Sequence, residues 1–169
     1  MVDRPTLEQR VRAIEDDLAL RDLMSRYAFY ADSGQHDAWV DLFTTDGEID
    51  LIGGESTGTH ANHMRWSGTD ELTSFIDDPD VHMSFEGRCM HITTANMRTQ
   101  IKGDDAAAEA YYLLLLRKAD DVVVAHSGFT RLRFRRVDGS WRIRQRLRHT
   151  IGTDVAELRD GHPELDAPG

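Results

Sequence analysis

Apolar residues in the first part of the chain recur at helical spacing in two consecutive stretches. The first stretch follows Thr6-Leu7-Glu8-Gln9, which matches a capping box, so we predict that a helix begins near Thr6. Its apolar members are Leu7, Val11, Ile14 and Leu18. The second stretch predicts one buried helix face, formed by Leu20, Leu23, Met24, Tyr27, Ala28 and Ala31. Ser33-Gly34 is expected to end the helix.

Shorter elements follow. His36 to Phe43 predicts a second helix closed by the turn residues Thr45-Asp46-Gly47. Glu48 to Ile52 and Thr57 to His60 are typical of short strands, the second followed by a loop through Trp66. Asp70 to Ile76 predicts a third helix. Asp77-Asp78-Pro79-Asp80 stops that helix, because proline disfavours a helical conformation in its predecessor.

From Cys89 onward the pattern changes to long strands, predicted over 89–101, 106–118, 122–137 and 141–151. Asp138-Gly139, between the last two, is a strong signal for a hairpin with positive φ at both central residues. Helices followed by a strand meander indicate an α+β domain, with N-terminal helices packed in a strongly curved, mostly antiparallel sheet.

This hairpin sets which residues of the last two strands share a face. If Asp138 and Gly139 are the loop residues, one face is the core side, with Leu132, Phe134, Trp141, Ile143 and Leu147. Without a bulge, His126, Gln145 and His149 point inward with them.

The opposite face stacks arginines on arginines, namely Arg135 on Arg142, Arg133 on Arg144 and Arg131 on Arg146, with Arg148 beyond. Like charges directly opposite are unfavourable, so acidic groups are expected to cover this face. A second subunit, the acidic C-terminal tail and Glu109 are the candidates. We favour a homodimer or higher homo-oligomer formed through the convex face of the sheet.

Composition narrows the class of protein. A chain of 169 residues predicts one domain, 1–151, followed by an acidic tail over 152–169. The net charge of −10 argues against nucleic-acid and anionic-membrane partners. Cys89 is the single cysteine, which excludes an internal disulfide and fits a reducing compartment. The sequence has no apolar run typical of a signal peptide or a membrane span, so we predict a cytoplasmic protein.

Acid–base chemistry is the candidate activity. We predict no metal site, because no His-Glu-x-x-His pattern occurs, and neither a nucleophile elbow nor a phosphate-binding glycine loop is present. Tyr27, Asp32 and His91 remain, since a carboxylate can orient an imidazole for proton transfer. Taken singly, each has a structural interpretation as a core aromatic, a turn residue or a buried histidine. Together they would converge on one cavity between helix and sheet.

The residues also resemble a known family. Tyr27-Ala28-x-x-x-Asp32-x-Gly34-x-His36-Asp37-x-Trp39-x-x-Leu42-Phe43 resembles the opening of SnoaL-like proteins, the scytalone dehydratase branch of the nuclear-transport-factor-2-like superfamily. His91 with Asn96 and the segment Arg135 to Ile143 continue the likeness, which covers residues 6 to 151.

The resemblance implies a cone-shaped barrel, a deep apolar pocket and no cofactor. It implies elimination by Asp32 and His91, with Tyr27 as a further catalytic residue. Leu51 and Tyr111 stand where the scytalone enzyme carries a tyrosine and a histidine, so they are expected to line the pocket with His126 and His149. The expected activity is that of a dehydratase-like lyase or an isomerase on an apolar carbonyl-bearing small molecule. A polyketide-type cyclase or a non-catalytic subunit resembling the small subunit of ring-hydroxylating dioxygenases is the alternative.

Overall fold

A computed structural model describes residues 4–52, 63–78, 80, 82 and 87–151 of the protein. The strand predicted over Thr57 to His60 and the acidic tail over 152–169 lie outside the described residues.

The long N-terminal helix α1 spans Leu7–Asp32, and its predicted start is confirmed. The Thr6 hydroxyl accepts a hydrogen bond from the Gln9 backbone N–H, and the Gln9 side chain accepts one from the Thr6 N–H, which completes the capping box. Ser33 caps the other end, and Gly34 follows with a φ of +71°. Two shorter helices, α2 (His36–Val40) and α3 (Gly68–Asp77), lie where helices were predicted, but α2 ends at Val40 and not at the predicted Phe43, which begins the first strand.

Within the described residues, seven strands form one sheet. They are β1 (Phe43–Ile52), β2 (His63–Ser67), β3 (Cys89–Ile92), β4 (Arg98–Lys102), β5 (Asp105–Lys118), β6 (Asp121–Val137) and β7 (Ser140–Thr150). The order is β2-β1-β7-β6-β5-β3, with β4 also paired to β5, and only the β1–β7 pair is parallel.

The strand boundaries differ from the prediction in three places. The strand expected over 89–101 is two strands, because residues 93–97 leave the ladder. The turn expected at Thr45-Asp46-Gly47 lies inside β1, where the pairing with β7 shifts register. Residues 63–67, expected in a loop, pair with β1 as β2. The hairpin turn is as predicted, with positive φ at Asp138 (49°) and Gly139 (78°).

The two apolar stretches of α1 differ in burial. Leu20, Leu23 and Met24 are at most 1% exposed and pack in the core against the inner face of the sheet. Leu7, Val11, Ile14 and Leu18 are 44–73% exposed. The reason is angular, because a helix turns about 100° per residue and the two-residue step from Leu18 to Leu20 moves to roughly the opposite side.

A bulge in β7 changes which residues face inward. Phe134 pairs with Ile143 as predicted, but the register then shifts, so that Arg133 lies opposite Gln145 and Leu132 opposite Arg146. Gln145 and His149 were expected to point inward only if the strand had no bulge. Because β7 has one, both lie on the outer face. Arg146 and Arg148, predicted on the outer face, lie on the inner face instead.

Two of the arginines that remain on the outer face lie close to acids of the same chain. Arg135 contacts Asp105 at 3.0 Å, and Arg131 contacts Glu109 at 3.8 Å. Arg136 lies on the inner face opposite Trp141 and bridges Asp104 and Asp16 at 3.2 and 2.6 Å. Glu109, one of the three expected sources of acidic groups for the outer face, thus lies beside Arg131. The homo-oligomer stays a prediction.

Candidate active site

Asp32 is the last residue of α1, and its carboxylate receives three donors from β3. Its Oδ1 lies 2.5 Å from His91 Nδ1 and 3.4 Å from Cys89 Sγ, and its Oδ2 accepts the His91 backbone N–H at 2.9 Å. An acid at a helix C-terminus is disfavoured by the macrodipole. The donors from β3 compensate for that position.

These donors also set the charge state of the pair. Burial opposes ionisation of Asp32, but the hydrogen bonds and charge of His91 outweigh it and hold the pKa of this carboxyl below its usual value. An ionised Asp32 requires a proton on His91 Nδ1. Nε2 of the neutral ring is then an acceptor, which is the arrangement of an oriented general base.

Tyr27, one helical turn before the end of α1, is buried beside this pair. Its ring meets that of His91 edge-on at 6.4 Å and packs on Trp39 at 5.2 Å. The phenolic oxygen accepts a hydrogen bond from Arg146 Nη1 at 2.9 Å. Because the oxygen acts as the acceptor, the hydroxyl hydrogen is left to donate elsewhere.

Two further imidazoles surround His91. The His82 ring stacks on it at 6.0 Å with an interplanar angle of 13°. His126 shares its row on the inner face, since His91 and His126 both pair with Leu114. Burial, together with neighbouring positive charge, lowers the pKa of His82 and of His126 to about 4. Both rings are therefore neutral at neutral pH.

The other predicted pocket residues are divided between the two faces. Leu51 is 5% exposed and lies on the inner face, paired with Arg148. Tyr111 is 66% exposed on the outer face, and the next residue, Tyr112, has the buried inward position. His149 is buried on the outer face, where its ring stacks on Phe129 at 4.5 Å. Tyr111 and His149 are thus not brought to the Asp32–His91 pair.

Sequence reasoning missed Tyr112, His82, Arg146 and Arg148. Strict alternation from Ala108 and Ala110 would have placed Tyr112 inward. The two arginines depend on the bulge, for which the sequence carries no glycine or other marker at Arg144.

Asp32, Cys89 and His91 also form the one set of possible metal donors found among the described residues, with ligand atoms within 4.8 Å of one another. Their chemistry fits a metal poorly. Burial, together with the charge of Asp32, raises the pKa of the Cys89 thiol to about 12, whereas a metal binds the thiolate. Cys89 and His91 both donate to Asp32, and an ion would have to displace those hydrogen bonds.

The fold and this pair define the class of protein: an α+β domain of the cystatin-like, nuclear-transport-factor-2-like kind, with a carboxylate–imidazole pair between the first helix and the sheet. The SnoaL-like domain family matches residues 12–147, and the chain belongs to it. No helix of the described residues has both the length and the apolar character that crossing a bilayer requires.

Solved structures give the same fold. A nuclear-transport-factor-2-like protein from Novosphingobium aromaticivorans is 25% identical, with a TM-score of 0.78 over 95% of this chain and 97% of that one. A provisionally named scytalone dehydratase from the same species is 16% identical, with a TM-score of 0.65 over 82% and 85% of the two chains. The beta subunit of a provisionally named aromatic-ring-hydroxylating dioxygenase, again from that species, is 20% identical, with a TM-score of 0.66 over 86% and 95%. No protein of curated function matches the chain.

Proposed function

We propose that the protein is a cofactor-independent lyase of the dehydratase type, or an isomerase, acting on a small carbonyl-bearing molecule with a largely apolar body. The observation that carries this proposal is the 2.5 Å contact between Asp32 and His91 Nδ1, which leaves Nε2 as a base. Membership of the SnoaL-like family and the dehydratase name of one structural neighbour support it.

In the proposed reaction, His91 Nε2 removes a proton from the carbon next to the carbonyl, and the electron pair moves onto the carbonyl oxygen as an enolate. Asp32 stabilises the imidazolium that forms. The Tyr27 hydroxyl donates to the enolate oxygen, a contribution of about 3 kcal/mol in comparable sites. A leaving group on the adjacent carbon then departs with the electron pair, or the proton returns at another carbon.

The first test needs no knowledge of the natural substrate. A base of this kind exchanges the proton next to a carbonyl with solvent, so the protein should catalyse deuterium uptake from heavy water into members of a panel of cyclic and aryl ketones, with and without a carboxylate. Nuclear magnetic resonance of the ketone measures the rate. His91→Ala should lower it by roughly 10²- to 10⁴-fold, and Asp32→Asn should also lower it strongly.

The matched control is a second His–Asp pair in the same chain. His63 Nε2 lies 3.0 Å from Asp50 Oδ1 at the outer side of the sheet, with His63 55% exposed. His63→Ala should leave the exchange rate unchanged. Equal rates in wild type and His91→Ala for a ketone that binds would refute the assignment.

A non-catalytic subunit is the second candidate, because one neighbour is a dioxygenase beta subunit and two cavities of the described residues lie away from the pair. These cavities, of about 270 and 330 Å³, are lined by residues such as Gln100, Arg133 and Val40. Binding of panel members without any exchange would favour this candidate. A polyketide-type cyclase would use the same base, and product analysis would show a new carbon–carbon bond.

A further inference from the structure

The inner face of the sheet carries two arginines side by side. Arg146 and Arg148 are two residues apart on β7, beyond the bulge, so both project from the same face. Arg146 is 3% exposed. Burial lowers the pKa of the Arg148 guanidinium, and the charge of Arg146 lowers it further. An arginine nevertheless stays charged in a protein, so two positive charges, one buried and one partly buried, lie together on this face.

Neither charge meets a carboxylate in the described part of the chain. Arg146 donates from Nη1 to the neutral Tyr27 hydroxyl, and its Nε has no partner there. The guanidinium of Arg148 lies 5.2 Å from the centre of the Tyr112 ring, and its Nε also has no partner among these residues. Removing a guanidinium from water costs several kcal/mol, and aromatic faces return only part of that.

The local charge is opposite in sign to that of the whole protein. The chain carries −10 in total. The described carboxylate of the candidate site is Asp32, which is already held by His91 and Cys89. Two guanidiniums and one carboxylate leave a surplus of one positive charge, which one monoanion would balance.

We propose that Arg146 and Arg148 form a subsite for a carboxylate of the substrate, an inference that rests on the proposed function. The substrate is then a small organic monoanion with an apolar body. A guanidinium donates two parallel hydrogen bonds to a carboxylate, and both unpartnered Nε groups suit that geometry. Tyr112, Leu114 and Ala110 supply apolar surface on the same face. Because Arg146 also holds the Tyr27 hydroxyl, the carboxylate would lie near the carbonyl that Tyr27 polarises.

The test compares acids with their neutral amides on the full chain. Acetate, benzoate and 2-naphthoate, each paired with its carboxamide, are titrated by calorimetry, and the thermal unfolding midpoint is recorded. We expect an acid of adequate size to bind roughly 10- to 100-fold more tightly than its amide, because only the acid makes charged hydrogen bonds to both guanidiniums. Inorganic phosphate should bind more weakly than the preferred acid, since it lacks the apolar body.

Arg148→Met keeps the length of the side chain and removes the charge. It should abolish the preference for the acid and leave the midpoint of the ligand-free protein equal or higher, because an unpaired buried charge destabilises the fold. If Arg148 had a purely structural role, the variant would have a lower unfolding midpoint and would keep the preference for the acid. Arg148→Lys should retain part of the preference. Arg144→Met, an exposed arginine on the outer side of the same strand, should change neither property.

Three outcomes would overturn the proposal: no acid in the series preferred over its amide, an Arg148→Met protein that unfolds or loses stability while still preferring the acid, or tighter binding of phosphate than of any acid. The result is separable from the proposed function, because His91→Ala should lose proton exchange and keep the preference for the acid. Acid binding without exchange in wild type would therefore refute the function and leave the subsite standing.

Discussion

Two pairs of arginines, one on each face of the β6–β7 hairpin, are balanced in opposite ways. On the outer face, Arg135 and Arg131 each lie within 4 Å of an acid on β5, with Asp105 and Glu109 as partners. On the inner face, Arg146 and Arg148 contact aromatic rings and a phenol instead of a carboxylate within the described residues. The outer charges are balanced within the chain, whereas the inner ones are set up to meet a charge from outside it.

Two of the three His–Asp pairs among the described residues, His63–Asp50 and His91–Asp32, also differ in their surroundings. The His63 ring is 55% exposed on the edge strand β2, whereas its partner Asp50 is buried and also accepts from Gln145 at 3.1 Å. His91 and Asp32 are largely buried, with 12% and 18% of their side chains accessible, and Tyr27, His82 and His126 lie around them. The two pairs thus differ in environment, and the exclusion of water around a bound molecule strengthens the electrostatic interactions of the buried imidazole.

Three substitutions, Tyr27→Phe, His126→Gln and Arg135→Ala, probe the difference between the inner and outer faces. Tyr27→Phe should give the largest effect. It removes the donor to the enolate, so deuterium exchange should fall by roughly 10²- to 10³-fold. It also leaves Arg146 Nη1 without its acceptor, which should lower the free energy of unfolding by about 1–3 kcal/mol. Exchange kinetics and urea unfolding measure the two effects. Tyr30→Phe, on the same helix, is the control and should change neither.

The inner face was only partly predictable from the sequence. The capping box at Thr6, the Asp138-Gly139 turn and the helix end that presents Asp32 are local signals within a few residues, and each agrees with the structure. The meeting of Asp32 with His91 joins residues 59 positions apart, and acid–base reasoning together with the resemblance to the SnoaL-like family indicated it.

The bulge in β7 was not predictable, and it decides the chemistry of the face. A period-two pattern continues through Arg142, Arg144, Arg146 and Arg148 as if all four lay on one side. One extra residue reverses every side chain after it. Arg131, Arg133 and Arg135 point outward as expected, because β6 has no extra residue between them and the Asp138-Gly139 turn.

The pH dependence of stability is the second test of the inner face. The pKa of His126 is about 4 in the folded protein, against an ordinary value of 6.5. Between these values the unfolded chain binds more protons than the folded one, so stability should fall as the pH is lowered from 6.5 toward 4. His82, whose pKa is also about 4, contributes in the same direction.

His126→Gln should flatten this dependence in part, since it removes one of the two titrating groups and leaves His82. Urea unfolding midpoints across that pH interval measure the slope. An unchanged slope in His126→Gln would show that this ring is not held neutral by the inner face.

Arg135→Ala on the outer face should give the smallest effect. The Arg135 and Asp105 side chains are 44% and 62% exposed, and an exposed ion pair contributes only about 0.2–1 kcal/mol. A double-mutant cycle with Asp105→Ala, measured by urea unfolding at low and high salt, should give a coupling energy in this range that decreases with salt. The sign of the change in the free energy of unfolding is informative. Loss of a paired outer arginine should destabilise the protein slightly, whereas Arg148→Met should not destabilise it. If both variants lose stability equally, the two faces do not differ in the way their charges are balanced.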